Sequence, residues 1–315
     1  MARPLRIEYP GAYYHITSRG NERKDIFKDD HDKKQFISYL KSAYLRYKAV
    51  IHVYCLMNNH YHLLIDTPKG NLSHIMRHIN GAYSTYFNIR HRRAGHLFQG
   101  RYKAILVDAD AYAGELSRYI HLNPFRAGMV DAPEQYAWSS YACYIDKRKS
   151  PDWLTVDFIL GYFSGYNISP KQKYKEFVSA RMLGTYESPL QDTVASTILG
   201  QDGFIEEIRE THLKNRAKDR NLPALNELSA SPDVNEIYNA IKSVVKDNPS
   251  LLRNYTLYLC RNYSGKSLRE IGNYFGISEA AVSQANFRFC HRLEKDKSLK
   301  KAIIQIQNKI SMFNV

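Results

Sequence analysis

The chain has 315 residues, 44% hydrophobic and 24% charged, enough to bury a substantial core in two or three structural units. Lys and Arg total 45 against 31 Asp and Glu, a formal net charge of +14 with a pI of about 9.4, which makes nucleic acid the leading partner. An apolar leader, an amphipathic or lipidated membrane anchor and a run of about 18 apolar residues are all missing from the sequence, so a cytoplasmic protein without a membrane partner is expected.

In chain order, Tyr13 to Ser18 reads as a strand closed by Gly20-Asn21, and Asp32 to Tyr47 carries apolar residues at helical spacing (Phe36, Leu40, Ala43, Tyr47). Ala49 to Met57 and His60 to Asp66 read as two strands joined at Asn58-Asn59, a hairpin. Leu72 to Ile89 returns to helical spacing, Gly95 to Val107 reads as a strand, and Ala109 to Leu122 as a helix ended by Asn123-Pro124. The order βαββαβ plus a helix predicts an α+β, ferredoxin-like antiparallel sheet with helices on one face and the other face open to a ligand. From Pro151 to about Arg220 the pattern is helical and basic, with KQKYKEFVSARML and IEEIRETHLKN the clearest segments. Lys218 to Asp233, broken by Pro223 and Pro232, reads as a linker. The expected organisation is residues 1–148 as a first domain, 149–220 as an α-helical extension, and 221–315 as linker and C-terminal unit.

Two features carry chemistry. In the strand His60-Tyr61-His62 both imidazoles point to the same side, about 7 Å apart along the strand, and can share one metal ion. With 12 histidines in the chain such a pair alone decides nothing. Tyr119 and Asn123, spaced i, i+4, place a phenol and an amide oxygen on one face of the last helix, where the oxygen could ligate the ion while the phenol attacks a phosphate. Spacing does not separate Tyr119 from Tyr112, one heptad earlier, and Tyr83 and Tyr86 are further candidates. His74 and His78, i, i+4 on a helix, lack the Glu of a zinc-protease motif. The four cysteines, Cys55, Cys143, Cys260 and Cys290, are too scattered for a zinc or redox motif. The cations Arg90, Arg92, Arg93, Arg101 and Lys103, interleaved with aromatics, suit a phosphate-backbone path, the alternative being solvated loop charge.

The segments RGNERKDIF, MNNHYHLLI, GHLFQGRYKA and YIHLNPFRAG, in this order, resemble the single-tyrosine HUH transposases of the insertion-sequence type, in particular the REP-associated tyrosine transposases. The resemblance implies a ferredoxin-like nuclease domain with His60, His62 and Asn123 as metal ligands and Tyr119 as nucleophile. In related transposases the position of Asn123 is commonly Gln. It further implies Mg²⁺ or Mn²⁺ as cofactor, single-stranded or hairpin DNA formed by a repeated palindrome as substrate, and cleavage through a 5′-phosphotyrosine with a 3′-hydroxyl leaving. Monomer and homodimer both remain open, as does whether Tyr119 serves its own chain or a partner's. Towards the C-terminus, SLREIGNYFGISEAAVSQANFRFCHRL has a Ser267/Glu270 capping box, an apolar stripe, a turn at Gly276 and a second cap at Ser278, the pattern of a helix-turn-helix. It resembles the DNA-binding domain of replication initiators. Ser283, Gln284, Asn286 and Arg288 are its candidate base-reading residues, with duplex DNA as the partner. Two rival readings remain: a non-catalytic DNA-binding regulator derived from a transposase, and a metal-dependent RNA phosphodiesterase that uses the histidines without a covalent tyrosine.

Overall fold

The computed structural model describes residues 6–165, 167–182, 188–213, 234–245, 249–264, 266, 268–307 and 309. Residues 4–204 form one compact unit and 205–315 contribute a second. The expected linker at Lys218 to Asp233 and the capping residue Ser267 lie outside the described residues.

The first unit is α+β. Strand β1 (Ala12–Arg19), helix α1 (Asp30–Tyr47), strands β2 (Val50–Leu56) and β3 (His60–Thr67), helix α2 (Leu72–Arg90), strand β4 (Lys103–Val107) and helix α3 (Ala109–Arg126) follow the expected order. The sheet order is β2-β3-β1-β4-β5. Its first four strands are antiparallel neighbours, as the ferredoxin-like reading requires. A fifth, β5 (Ile198–Leu199), joins β4 in parallel and makes the sheet mixed. Two residues give no alternation to detect, so no sequence pattern announces it.

Alternation along β3 sorts its side chains. Tyr61 turns to α1 and α2, its ring 4.7 Å from that of Phe36 and its hydroxyl donating to Asn80 at 2.6 Å. His60 and His62 therefore face the other side. That side is partly covered, not open as expected. Helix α3 lies over it, and beyond α3 come α4 (Tyr141–Tyr144), α5 (Asp157–Gly161) and α6 (Pro170–Ser179). A bulge between Ile51 and Val53 re-aims His52, whose ring packs on Phe158 at 4.9 Å and whose Nδ1 lies 3.2 Å from the Thr155 carbonyl. The Tyr144 hydroxyl donates to the His52 carbonyl at 2.9 Å. Residues on both sides of position 148 thus share one core.

Two sequence expectations change. The strand from Gly95 divides: Phe98 makes an isolated bridge to Gly20, the chain turns outward at Gly100 (φ 144°), and the regular strand begins only at Lys103. Gly20 is required here, because a Cβ would lie 2.0 Å from the Lys24 carbonyl oxygen. Helix α3 does not stop at Asn123-Pro124 but runs to Arg126 with Pro124 inside it. Buried Ile120, His121, Leu122 and Pro124 keep this turn packed, and termination comes at Gly128, φ 65°.

After Asp202–Ile208, α7, and the π turn Arg209–Leu213, the second unit contains α8 (Val234–Lys242), α9 (Pro249–Tyr263), α10 (Leu268–Phe275), α11 (Glu279–Lys295) and α12 (Lys297–Gln307). Ile237, Ile241, Tyr255, Leu259, Ile271, Val282 and Phe289 form its core. The turn between α10 and α11 uses Gly276 at φ 63°, and the Ser278 hydroxyl caps α11 by accepting from Ala281 N–H at 3.2 Å. Among the described residues no helix is long and apolar enough to cross a membrane.

Candidate active site

Strand register assembles the floor of the site. Thr17 stands opposite both His62 and Lys103, Arg19 opposite His60, and His15 opposite Ile105, so all of these side chains share the face beneath α3. Together with Tyr119 from α3, Arg23 and Asn59 from the turns at the strand ends, and Gln99 to Arg101 from the outward loop, they line a cavity of about 630 Å³. Four of the lining residues are cations, Arg19, Arg23, Arg101 and Lys103, and among the described lining residues none is a carboxylate. Such a cavity attracts a polyanion and would repel a basic peptide or free cationic groups.

Tyr119 sets its ring edge-on against His62 and His15, with centroids at 5.9 and 6.3 Å and interplanar angles of 85° and 88°. These rings belong to one chain. Tyr112 does not line the cavity, and burial together with the nearby Asp192, Asp108 and Asp202 raises its pKa, an acidic setting ill suited to a phosphate. Tyr83 is buried with its hydroxyl on the Ile26 carbonyl, and Tyr86 donates to Asp32 at 3.3 Å, so both serve the α1/α2 layer. The geometry therefore separates the four tyrosines that spacing left together.

His60 Nδ1 lies 2.7 Å from Asn59 Oδ1, and His62 Nδ1 lies 3.0 Å from His15 Nε2. Each ring thus has its Nε2 left as the nitrogen for a ligand. Burial lowers the pKa of both, that of His62 well below the ordinary 6.5, with Arg19 adding to the effect on His60 and with His15 and His60 adding to it on His62. Neutral imidazoles at physiological pH are what a divalent ion requires, so the pair fits the metal. Asn123 sits one turn below Tyr119, half-buried and outside the cavity lining, its Nδ2 donating to the Tyr119 carbonyl at 3.1 Å; its oxygen is the atom that could ligate. Among the described residues no cluster of three or more His, Cys, Asp or Glu is placed to hold a metal.

The remaining expected cations divide. Arg101 and Lys103 line the cavity, whereas Arg90, Arg92 and Arg93 do not. Arg90 forks onto Asp29 at 2.7 Å through both terminal nitrogens and reaches Asp32 at 2.5 Å, closing the start of α1 against the end of α2. Arg93 donates to the His96 carbonyl at 2.8 Å, and Arg92 is exposed. His78 lies 3.0 Å from the Ser42 hydroxyl and belongs to the α1/α2 packing, with His74 exposed beside it.

Sequence reasoning missed His15, Arg19, Arg23 and Gln99. The first motif quoted above contains Arg19 and Arg23, and the third contains Gln99, but only the register shows that they meet the histidines. His121, inside the fourth motif, proves to be an anchor. It is fully buried, with Nδ1 2.7 Å from the Tyr174 hydroxyl and Nε2 2.8 Å from Ser140 Oγ, and burial pushes its pKa down to about 3. It ties α3 to α6 and so fixes the helix that carries Tyr119.

In the second unit, Ala280, Ser283, Gln284, Phe287 and Arg288 share one exposed face of α11, with Phe287 75% exposed. Asn286 differs from the expectation. At 100° per residue it falls on another face, and its side-chain oxygen is buried. Phe287 was not foreseen.

Residues 8–123 match the family described as "Transposase IS200 like". A solved structure, "Structure of the REP associates tyrosine transposase bound to a REP hairpin", is similar at 16% identity and a TM-score of 0.42, over 50% of this chain and 93% of that one. The comparison with curated proteins gave no match.

Proposed function

We propose, from the match of residues 8–123 to the family described as "Transposase IS200 like" and from the cavity beneath α3, that this chain is a metal-dependent nickase and strand transferase acting on single-stranded DNA. One observation carries the reading: a tyrosine edge-on to His62, one of the histidine pair, at a cavity lined by four cations and no described carboxylate. His60 and His62, with the Asn123 oxygen, would hold Mg²⁺ or Mn²⁺, which when bound neutralises charge developing on the phosphate. Arg19, Arg23, Arg101 and Lys103 draw the DNA backbone into the cavity and hold it there. The Tyr119 oxygen attacks phosphorus as the bond from phosphorus to the 3′ oxygen breaks. The phenol proton is lost, the 3′ oxygen gains one, and a 5′-phosphotyrosine remains. A second strand's 3′-hydroxyl reverses the step without ATP, because the phosphodiester energy is kept in the tyrosyl ester. The contact of Tyr119 with His62 within one chain supports a nucleophile that serves its own chain.

The hairpin form of the substrate follows from the motif resemblance. The exposed face of α11 with Ser283, Gln284 and Arg288 reads an adjoining duplex in the major groove, and Phe287 offers an apolar contact for a thymine methyl. Incubation of the protein with a panel of end-labelled hairpin oligonucleotides and Mg²⁺ or Mn²⁺, followed by denaturing electrophoresis, tests the reading. A metal-dependent covalent adduct mapped to Tyr119 is the expected result. Binding with no adduct on any oligonucleotide would favour the non-catalytic regulator, and cleavage of RNA without an adduct the phosphodiesterase.

A further inference from the structure

His15 is buried in β1 at 1% exposure, and burial of a polar ring needs a reason. Its Nε2 lies 3.0 Å from His62 Nδ1. The two rings are within 8° of coplanar and their centroids 5.2 Å apart, much farther than the facing nitrogens, so they meet edge to edge in an in-plane hydrogen bond. The other nitrogen of His15, Nδ1, is buried without a hydrogen-bond partner among the described residues. An apolar side chain would fill this position on the sheet without leaving a polar atom unpaired. What His15 supplies is one hydrogen bond, to one atom of His62.

A single proton occupies that bond and can belong to either ring. If it belongs to His15, His62 must carry its own proton on Nε2, which then points an N–H at the site. If it belongs to His62, Nε2 of His62 offers a lone pair. Only the second arrangement makes a metal ligand, and ligating histidines generally have their other N–H fixed by an acceptor. That acceptor is ordinarily a carboxylate or a carbonyl, and here it is a second imidazole.

We propose that His15 is a positioning residue: its Nε2 accepts the Nδ1–H of His62 and so turns His62 Nε2 into a lone-pair donor aimed at a divalent ion. The proposal rests on His60 and His62 being the metal pair. His60 does not need His15, because Asn59 Oδ1 plays the same part for it at 2.7 Å. The two ligands are thus oriented by independent partners, an amide on one side and an imidazole on the other.

The test measures Mn²⁺ affinity by electron paramagnetic resonance on the full chain and on three variants, His15→Phe, His15→Gln and His60→Ala. It also reads the His62 ring nitrogens by ¹⁵N NMR in the Mg²⁺-loaded wild type. Expected are a weakening of Mn²⁺ binding by about 10–100-fold in His15→Phe, recovery of most of it in His15→Gln, whose amide restores an acceptor, and a His62 proton on Nδ1. Loss of Mn²⁺ in His60→Ala with wild-type affinity in His15→Phe overturns the role of His15 and leaves the metal pair standing. Wild-type affinity in His60→Ala overturns the metal pair itself. If His15→Phe does not fold, the wild-type spectrum decides alone, and a His62 proton on Nε2 in the Mg²⁺-loaded protein refutes the proposal.

Discussion

Asp32 is the acceptor on which the α1/α2 junction converges, and replacing it should cost more than any single surface ion pair. Its carboxylate is fully buried and receives Lys28 N–H at 2.8 Å, His91 Nε2 at 2.9 Å, the Tyr86 hydroxyl at 3.3 Å and Arg90. Asp32→Ala leaves the Lys28 N–H and the His91 ring without that acceptor. An unsatisfied buried donor costs about 1–3 kcal/mol, so the loss should be about 3 kcal/mol. Asp32→Asn keeps one oxygen and should lose about half of that. Both tryptophans, Trp138 and Trp153, belong to the first unit, so urea unfolding followed by tryptophan fluorescence reports on that unit alone. The same series decides what Arg90 does. Arg90→Ala should lower the unfolding midpoint and leave affinity for a single-stranded oligonucleotide within about twofold, since an arginine forked onto two carboxylates has little to offer a phosphate. A loss below about 1 kcal/mol in Asp32→Ala, or an Arg90→Ala variant with intact stability and weakened DNA binding, would refute this account of the junction.

Tyr119→Phe should abolish the covalent adduct while binding DNA nearly as before, and Tyr112→Phe should remain active; the reverse pattern in an adduct assay would transfer the nucleophile's role. His60→Ala and His62→Ala should each remove metal-dependent cleavage at ordinary metal concentrations, read as product per unit time across an Mg²⁺ titration. A chain ending near Arg220 should form the same Tyr119 adduct on a short hairpin but bind hairpin-plus-duplex DNA more weakly, with a shallower salt dependence; equal affinity at two salt concentrations would exclude a DNA-reading role for α11. Burial holds His15 and His121 down to about 3 and His52 to about 4, against an ordinary 6.5. The unfolded chain therefore takes up protons that the folded one refuses, and stability should fall as pH drops below about 6.5, by up to about 1.4 kcal/mol per pH unit for each ring. Equal urea midpoints at pH 7 and pH 5 would contradict this.

The sheet was legible because its strands alternate and its hairpin has a compact turn. His60 and His62 could be placed on one face from two positions of sequence, since the period of a strand is fixed. His15 could not, because its partner is 47 residues away and only the β1/β3 register brings them together. The end of α3 misled for a different reason. Asn123-Pro124 is a sound local stop signal, but burial of Pro124 and the residues before it outweighs the one backbone bond that proline forgoes. The charge cluster Arg90 to Arg93 looked uniform in sequence, yet Asp29 and Asp32 claim Arg90, and acidic residues some 60 positions upstream leave no local trace. Asn286 shows the limit of reading exposure from composition, since a polar residue on a helix can still point inward.

The anchoring of α3 by His121 bears on how the protein can be dissected. The matched segment ends at residue 123, three residues short of the end of α3, and the groups that hold this helix, Ser140 and Tyr174, lie beyond it. A fragment trimmed to the family match, or even to residue 148, would strip His121 of Tyr174 and β4 of its parallel neighbour at Ile198–Leu199. The smallest piece worth expressing for crystallisation or isotope labelling therefore runs to about residue 204, nearly twice the length of the stretch that matches the family model.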